Sequence, residues 1–463
     1  MERERLGSRL GFILLSAGCA IGVGNVWKFP WMAGANGGGI FVLFYLVFLI
    51  LLGLPVMTME FSLGRAARKS PVGLYQALEK KGQKWHYHGY GALAANVILV
   101  MFYTVVTGWI LFYFISFLKG DMTGITNEQS ASLFGSMLEN PVINVGFMTI
   151  VVILGFVILS FGLQKGVERV TKYMMLALLL LIIVLAVNSL TLSGAKEGLE
   201  FYLKPDFSKV SGSTIVASMN QAFFTLSLGI GSMAIFGSYI DKKRSLMGES
   251  FNILILDTFV AVFAGLIIFP ACFTYDVETA SGPSLLFVAM AKVFNNMRGG
   301  RWWGSLFFLF MFFAAMSTII AVFENILACV CELTGFGRKK CCLICGISIL
   351  VLSVPCALGF NLWSGFVPFA SGSSVLDLED FIVSNCMLPL GSLCYVLFCV
   401  SRYGWGFDSF MKEANEGAGF KVKKWMRGYM TYVIPAVITA LFVIGIIDFE
   451  FADNFKLINL LRR

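Results

Sequence analysis

Two stretches decide the fold: Ala17-Gly18-Cys19-Ala20-Ile21-Gly22-Val23-Gly24-Asn25 and Phe224-Thr225-Leu226-Ser227-Leu228-Gly229-Ile230-Gly231-Ser232. Each lies in the middle of a long apolar run, and each contains a Gly-x-Gly motif. Glycine in a helix interior costs about 1 kcal/mol relative to alanine, so both centres are poor helix. One such motif is also compatible with a close-packing helix face. Its repetition at the same depth in two runs argues instead for backbone that leaves the helix.

The flanking composition sets the medium. Of 463 residues, 58% are hydrophobic and only 13% charged, and the mean hydropathy of +0.81 belongs in a bilayer rather than in water. About 20 apolar residues cross a hydrocarbon core of about 30 Å as a helix. Runs of this kind predict eleven spans, at 10–34, 39–63, 90–118, 144–161, 173–192, 214–238, 248–275, 304–331, 342–360, 381–401 and 429–447. Backbone amides in hydrocarbon must pair within their own segment, and the runs are too long and uniform for barrel strands. The predicted fold is therefore an all-α membrane protein of one integral domain.

The glycine-broken spans are the first and the sixth, the leading helices of two successive blocks of five. A block with an odd number of crossings repeats upside down, which predicts an inverted 5+5 helix repeat (about 10–192 and 214–401) plus one extra helix (about 429–447). In transporters built this way, solute and ion sites lie near the midplane, where half-helix ends and freed carbonyls meet.

Basic residues set the orientation. The alternating loops 1–9, 65–88, 162–172, 240–247, 333–341 and 402–427 hold 24 of the 35 Lys and Arg, which predicts a cytoplasmic N-terminus and an external C-terminus. The net charge of +8 follows from this bias, so no nucleic-acid partner is expected. Arg3, Arg5 and Arg9 lead into a run too long for a cleavable signal, and the first span is expected to stay. Cys329, Cys331, Cys341, Cys342 and Cys345 surround one inner turn, but cysteine in packed helices behaves as a small apolar residue, and no metal site is expected there. His86 and His88 fall in a predicted loop and are expected to be solvated. The segment 281–294 reads as an amphipathic helix over the outer face, a lid or a passive cover.

Ionisable residues inside spans are functional candidates, because a charge at bilayer depth costs about 3 kcal/mol or more. They are Lys28, Glu60, Asp257, Glu324 and Asp380. Ion pairing or backbone capping is the competing reading for Glu60 and Glu324. Asp257 interrupts the run Ile253-Leu-Ile-Leu-Asp-Thr-Phe-Val260 and is the sharper candidate. A hard cation prefers oxygen, and Asn25, Thr225, Asp257, Ser317 and Thr318 supply side-chain oxygens beside glycine-exposed carbonyls.

Arg9-Leu-Gly-Phe-Ile-Leu, Ala20-Ile-Gly-Val-Gly-Asn-Val-Trp-Lys-Phe-Pro30, Asn36-Gly-Gly-Gly39 and Gln221-Ala-Phe-Phe-Thr-Leu-Ser-Leu-Gly-Ile-Gly231 closely resemble signatures of the neurotransmitter:sodium symporters, and the similarity runs from about residue 3 to 447. The resemblance implies two sodium sites and no organic cofactor. The first would use the Ala20 carbonyl, Asn25, Thr225, Asp257 and the substrate carboxylate. The second would use the Gly18, Ile21 and Ala314 carbonyls with Ser317 and Thr318. It further implies an amino-acid carboxylate on the Val23 and Gly24 amides and Tyr103, and an ammonium near Ala20, Phe224 and Ser227. Leu99, Val106, Ile230, Thr318 and Val322 would line the side-chain pocket, with Phe224 closing over it. Lys28 with Asp380, and Arg3 with Glu332, would form the outer and inner gates.

The chain departs from the family pattern in several places. Lys28 and Glu332 are conservative exchanges at the gates, Leu6 stands where relatives carry Trp, and Leu176 occupies the place of a helix-breaking Pro. Chloride-dependent relatives carry Asn and Ser where this chain has Asp257 and Ala261; a fixed carboxylate would supply the charge that chloride otherwise brings. The expected function is sodium-coupled import of a hydrophobic or aromatic L-amino acid by alternating access, independent of chloride, in a bacterial inner membrane, by a monomer or weak homo-oligomer. A symporter for another solute and a receptor that binds without translocating are the alternatives. No hydrolase, metalloprotease or phosphate-loop motif is present, which argues against an enzyme.

Overall fold

A computed structural model describes residues 6–122, 127–277, 285–447, 450–451 and 455–456. The described residues are helical apart from turns and one short antiparallel pair, Glu450–Phe451 with Phe455–Lys456. In chain order the helices are α1 (Arg9–Ala20), α2 (Gly24–Ala35), α3 (Gly39–Ala67), α4 (Pro71–Leu78), α5 (His86–Lys119), α6 (Asn127–Glu139), α7 (Pro141–Ser160), α8 (Leu163–Ser189) and α9 (Ala195–Leu203). They continue as α10 (Gly212–Thr225), α11 (Ser232–Gly237), α12 (Leu246–Tyr275), α13 (Met290–Asn296), α14 (Gly300–Thr334), α15 (Arg338–Leu358), α16 (Val375–Val400), α17 (Phe407–Ala414) and α18 (Met426–Ile447).

Among the described residues, nine helices are long and apolar enough to cross a bilayer, and a tenth crossing is counted where α1 and α2, bent by 56°, are taken together. The expected sixth span is split into α10 and α11, neither of crossing length alone. Polar caps start several helices. Ser8 accepts from the Gly11 amide, Ser211 from the Thr214 amide and Asn140 from the Val142 and Ile143 amides, satisfying donors that a bare helix start would leave open.

Proline is absorbed in a repeated way. Pro30, Pro55, Pro389 and Pro435 each lie two residues beyond a short π-helical turn, at Gly24–Lys28, Leu49–Gly53, Ile382–Met387 and Tyr429–Val433. Proline has no N–H and its ring collides with the carbonyl four residues back, so the ladder steps to the residue one further on.

The broken helices are buried at the centre. Helix α1 packs against α14, α12 and α8, and α11 packs against α3. Leu15, Ala17, Ile21, Leu228, Ile230 and Ala314 are fully buried there. Helix α8 runs unbroken through Leu176.

In the segment 285–296 the apolar residues Leu286, Phe287, Met290 and Phe294 are buried, with Phe287 stacked on Phe134 of α6 and tilted against Tyr113. The remainder of the expected lid, 281–284, lies outside the described residues. The histidines are not solvated as expected. They begin α5, where His86 lies 2.7 Å from Glu79 and His88 lies 2.7 Å from the Tyr75 hydroxyl.

Candidate substrate and cation site between the broken helices

Three left-handed residues, Ser227 (φ 50°), Gly229 (φ 92°) and Gly231 (φ 77°), carry the chain from α10 to α11. The turn is pinned from three helices. Glu60 of α3 accepts the Gly229 amide at 2.5 Å, and Asn96 and Asn325 donate to the Ile230 carbonyl at 2.7 and 3.3 Å. Glu60 is thus a backbone cap. Glu324 is an ion-pair partner, 2.5 Å from Arg338 and 2.9 Å from the Tyr239 hydroxyl.

Opposite this turn, α1 ends with Ile21 extended (ψ 95°), which frees the carbonyls of residues 18–21 from the helical ladder. Ser317 Oγ lies 2.9 Å from the Gly18 and Ala314 carbonyls and 3.4 Å from that of Ile21. Thr318 Oγ1 reaches the same three carbonyls at 3.2, 3.4 and 3.3 Å. Two hydroxyls and three carbonyls therefore enclose one spot. A hydroxyl can turn its proton away and present a lone pair, so this all-oxygen cage fits a hard monovalent cation.

The second group gathers on Asp257, which is fully buried. Its carboxylate accepts from Asn25 Nδ2 at 2.8 Å, from Thr225 Oγ1 at 3.1 Å and from the Tyr45 hydroxyl at 3.3 Å. Asn25 Oδ1 in turn accepts the Gly22 amide at 3.2 Å. A buried carboxylate without a basic partner among these contacts is suited to holding a cation, which supplies the missing charge.

Between the two groups lies a small void of about 30 Å³, bounded among others by Ala20, Gly24, Leu99, Tyr103, Ser227 and Thr318. Phe224 and Ile230 also bound it, and Val106 and Val322 are buried. The Val23 amide donates to the Tyr103 hydroxyl at 2.7 Å, so these two expected partners of a substrate carboxylate point to one place. A Cβ at Gly24 would fall 2.7 Å from the Phe224 ring, which requires glycine there. The sequence reading gave no site role to Cys19, Val383 and Leu388, which bound the void, or to Tyr45 and Gln221, whose Nε2 holds the Gly24 carbonyl at 3.2 Å.

The gate residues are placed unevenly. Lys28 Nζ sits 3.7 Å from the centre of the Phe224 ring rather than on Asp380, and Asp380 instead accepts from Ser384 Oγ at 2.7 Å. Glu332 accepts the Ser70 amide at 2.8 Å and lies 3.6 Å from Lys69. Arg3, its expected partner, lies outside the described residues. Leu6 is half-buried against the core.

A cage of buried oxygens at the junction of two interrupted membrane helices is the equipment of an ion-linked solute carrier. The model of the Sodium:neurotransmitter symporter family matches residues 3–131 and 135–457. The uncharacterized sodium-dependent transporter YhdH of Bacillus subtilis is 34% identical over 96% of this chain and 98% of its own length. The bovine sodium- and chloride-dependent GABA transporter 2 is 24% identical over 97% and 81%. The crystal structure of MhsT in complex with L-phenylalanine superposes with a TM-score of 0.86 at 35% identity, covering 96% of this chain and 100% of that one. The chain belongs to the sodium:neurotransmitter symporter family and is a sodium-dependent, multi-pass membrane transporter, not an enzyme.

Proposed function

We propose that the protein imports a hydrophobic or aromatic L-amino acid together with sodium, by alternating access and without chloride. The observation that carries this reading is the convergence of two oxygen groups on either side of one small void. One cation would sit among Gly18, Ile21, Ala314, Ser317 and Thr318, and another beside Asn25, Thr225, Asp257 and the Ala20 carbonyl. The bound carboxylate would complete the second shell while held by the Val23 and Gly24 amides and Tyr103, which makes substrate affinity depend on sodium. The apolar walls at Leu99, Ile230 and Phe224 favour an apolar side chain, and the likeness to a transporter crystallised with L-phenylalanine supports that class.

In the cycle, Phe224 and Lys28 close the outer side. Movement of Lys28 off the ring toward Asp380, and release of Glu332 from Lys69 and Ser70 toward the N-terminal arginine, are the exchanges that the gates require. Chloride independence rests on Asp257, whose fixed charge stands beside the cation ligands, with the apolar Ala261 one turn away. We count the α10–α11 pair as one interrupted span. This gives eleven crossings, the inverted repeat of 10–192 on 214–401, a cytoplasmic N-terminus and an external C-terminus in the inner membrane, and a monomer or weak homo-oligomer.

The test is uptake of radiolabelled phenylalanine, tryptophan and leucine into proteoliposomes. Accumulation driven by an inward sodium gradient, and kept when chloride is replaced by gluconate, is expected. Sodium-independent binding without accumulation would refute the reading.

A further inference from the structure

Helices α16 and α18 part on their lipid side. An apolar groove of about 630 Å³ runs between them, walled by Leu393 and Leu397 from α16 and by Pro435, Ala436, Ala440 and Val443 from α18. The groove is shallow and open, and the exposed small residues Ala436, Thr439 and Ala440 form its floor. At Leu397 the groove opens into a second cleft of about 860 Å³, formed by the loop after α16 and the starts of α17 and α18.

The charges in that cleft are unbalanced. Lys80, Arg402 and Arg427 line it against the single carboxylate of Asp408. Lys80 Nζ donates to the Arg402 carbonyl at 3.3 Å, and Arg402 donates to the Tyr403 hydroxyl at 3.0 Å. Arg427 stands 3.6 Å from Asp408, and both are more than half exposed. The loop is fixed from a distant part of the chain, since Gln83 Nε2 and Trp85 Nε1 both donate to the Tyr403 carbonyl, at 2.6 and 2.8 Å. Tyr403, Trp425 and Tyr432 present exposed rings at this level, as side chains at a headgroup boundary do.

An apolar trough that ends in a positively charged pocket matches an acyl chain joined to an anionic headgroup. We propose that the α16–α18 groove binds an anionic phospholipid of the leaflet on the N-terminal side, with an acyl chain against Ala436 and Ala440 and the phosphate among Lys80, Arg402 and Arg427. A zwitterionic lipid offers the same chain, but its amine faces these cations. The two net positive charges, at about 1 kcal/mol each, correspond to a preference of roughly 30-fold for the anionic headgroup. The site shares no lining residue with the substrate void, although α16 borders both.

Native mass spectrometry of the full chain, titrated with dioleoyl phosphatidylglycerol and dioleoyl phosphatidylethanolamine, tests this. Wild type should retain the phosphatidylglycerol preferentially, by about the factor given. K80Q/R402Q/R427Q, all at exposed positions, should lose that preference while keeping the wild-type melting temperature and substrate-induced shift. Ala440→Phe should lower retention of both lipids. Equal retention of the two lipids by wild type, an undiminished preference in the triple variant, or unchanged retention in Ala440→Phe would overturn the assignment.

Discussion

Gly22 offers a sharp test of the site. A Cβ placed there would lie 2.4 Å from the Tyr103 hydroxyl and 2.7 Å from Thr318 Oγ1. Ordinary contact begins near 3.4 Å, so in Gly22→Ala the Tyr103 ring must withdraw by about 1 Å. That retreat stretches the 2.7 Å bond from the Val23 amide beyond hydrogen-bonding range. The displaced hydroxyl no longer donates to the substrate carboxylate, and a lost hydrogen bond to a charged group costs about 1.5–3 kcal/mol, which predicts roughly 10- to 150-fold weaker amino-acid binding. Titration calorimetry with phenylalanine in saturating sodium measures it. The control is a double-mutant cycle with Tyr103→Phe, which removes the hydroxyl that the methyl group meets. The two effects should then be less than additive by about 1 kcal/mol or more. Strict additivity, or wild-type affinity in Gly22→Ala, would refute both the Tyr103–Val23 geometry and its role in holding the carboxylate.

Asn25→Ala and Thr225→Ala should each raise the half-saturating sodium concentration and weaken amino-acid affinity together, as read by sodium-titrated thermal shift, because both groups touch Asp257. Asp257→Asn should render uptake chloride-dependent while wild type works equally well in gluconate; uptake by the variant in gluconate would count against a charge role for Asp257. Arg65 is completely buried with its guanidinium 2.7 Å from Glu413, whose other oxygen lies 3.4 Å from Lys242, so Arg65→Ala leaves a partly compensated charge and should lower stability by less than the ~3–5 kcal/mol of a fully unpaired one in thermal unfolding. Glu413→Gln keeps an acceptor but strands the fully buried Arg65 cation without its anion, and should cost about 3–5 kcal/mol.

The elements that signal themselves locally were legible in the sequence. Asp257 was visible as a charge in an apolar run, and the two breaks as paired glycines in apolar spans. The cation ligands followed from the family resemblance. Tyr45 was hidden: a lone tyrosine in an apolar span reads as packing, and its partner Asp257 lies 212 residues away. The second and third spans extended past their expected ends, to Ala67 and from His86, because Arg65 pairs with Glu413 on α17 and the histidines with Tyr75 of α4 and Glu79 just after it. A charge is a boundary signal only where nothing folds back to neutralise it.

The π turns ahead of Pro30, Pro55, Pro389 and Pro435 each take in one residue beyond the count of a regular helix. That residue sets the angular phase of everything beyond it, since one position is about 100° of rotation. Removing one residue from 49–53 would leave a passable helix by composition but turn its two halves against each other, swinging core-facing side chains such as Met57 and Glu60 toward the lipid. At these four points the length of the chain, more than the identity of any residue, keeps the faces of the helices aligned.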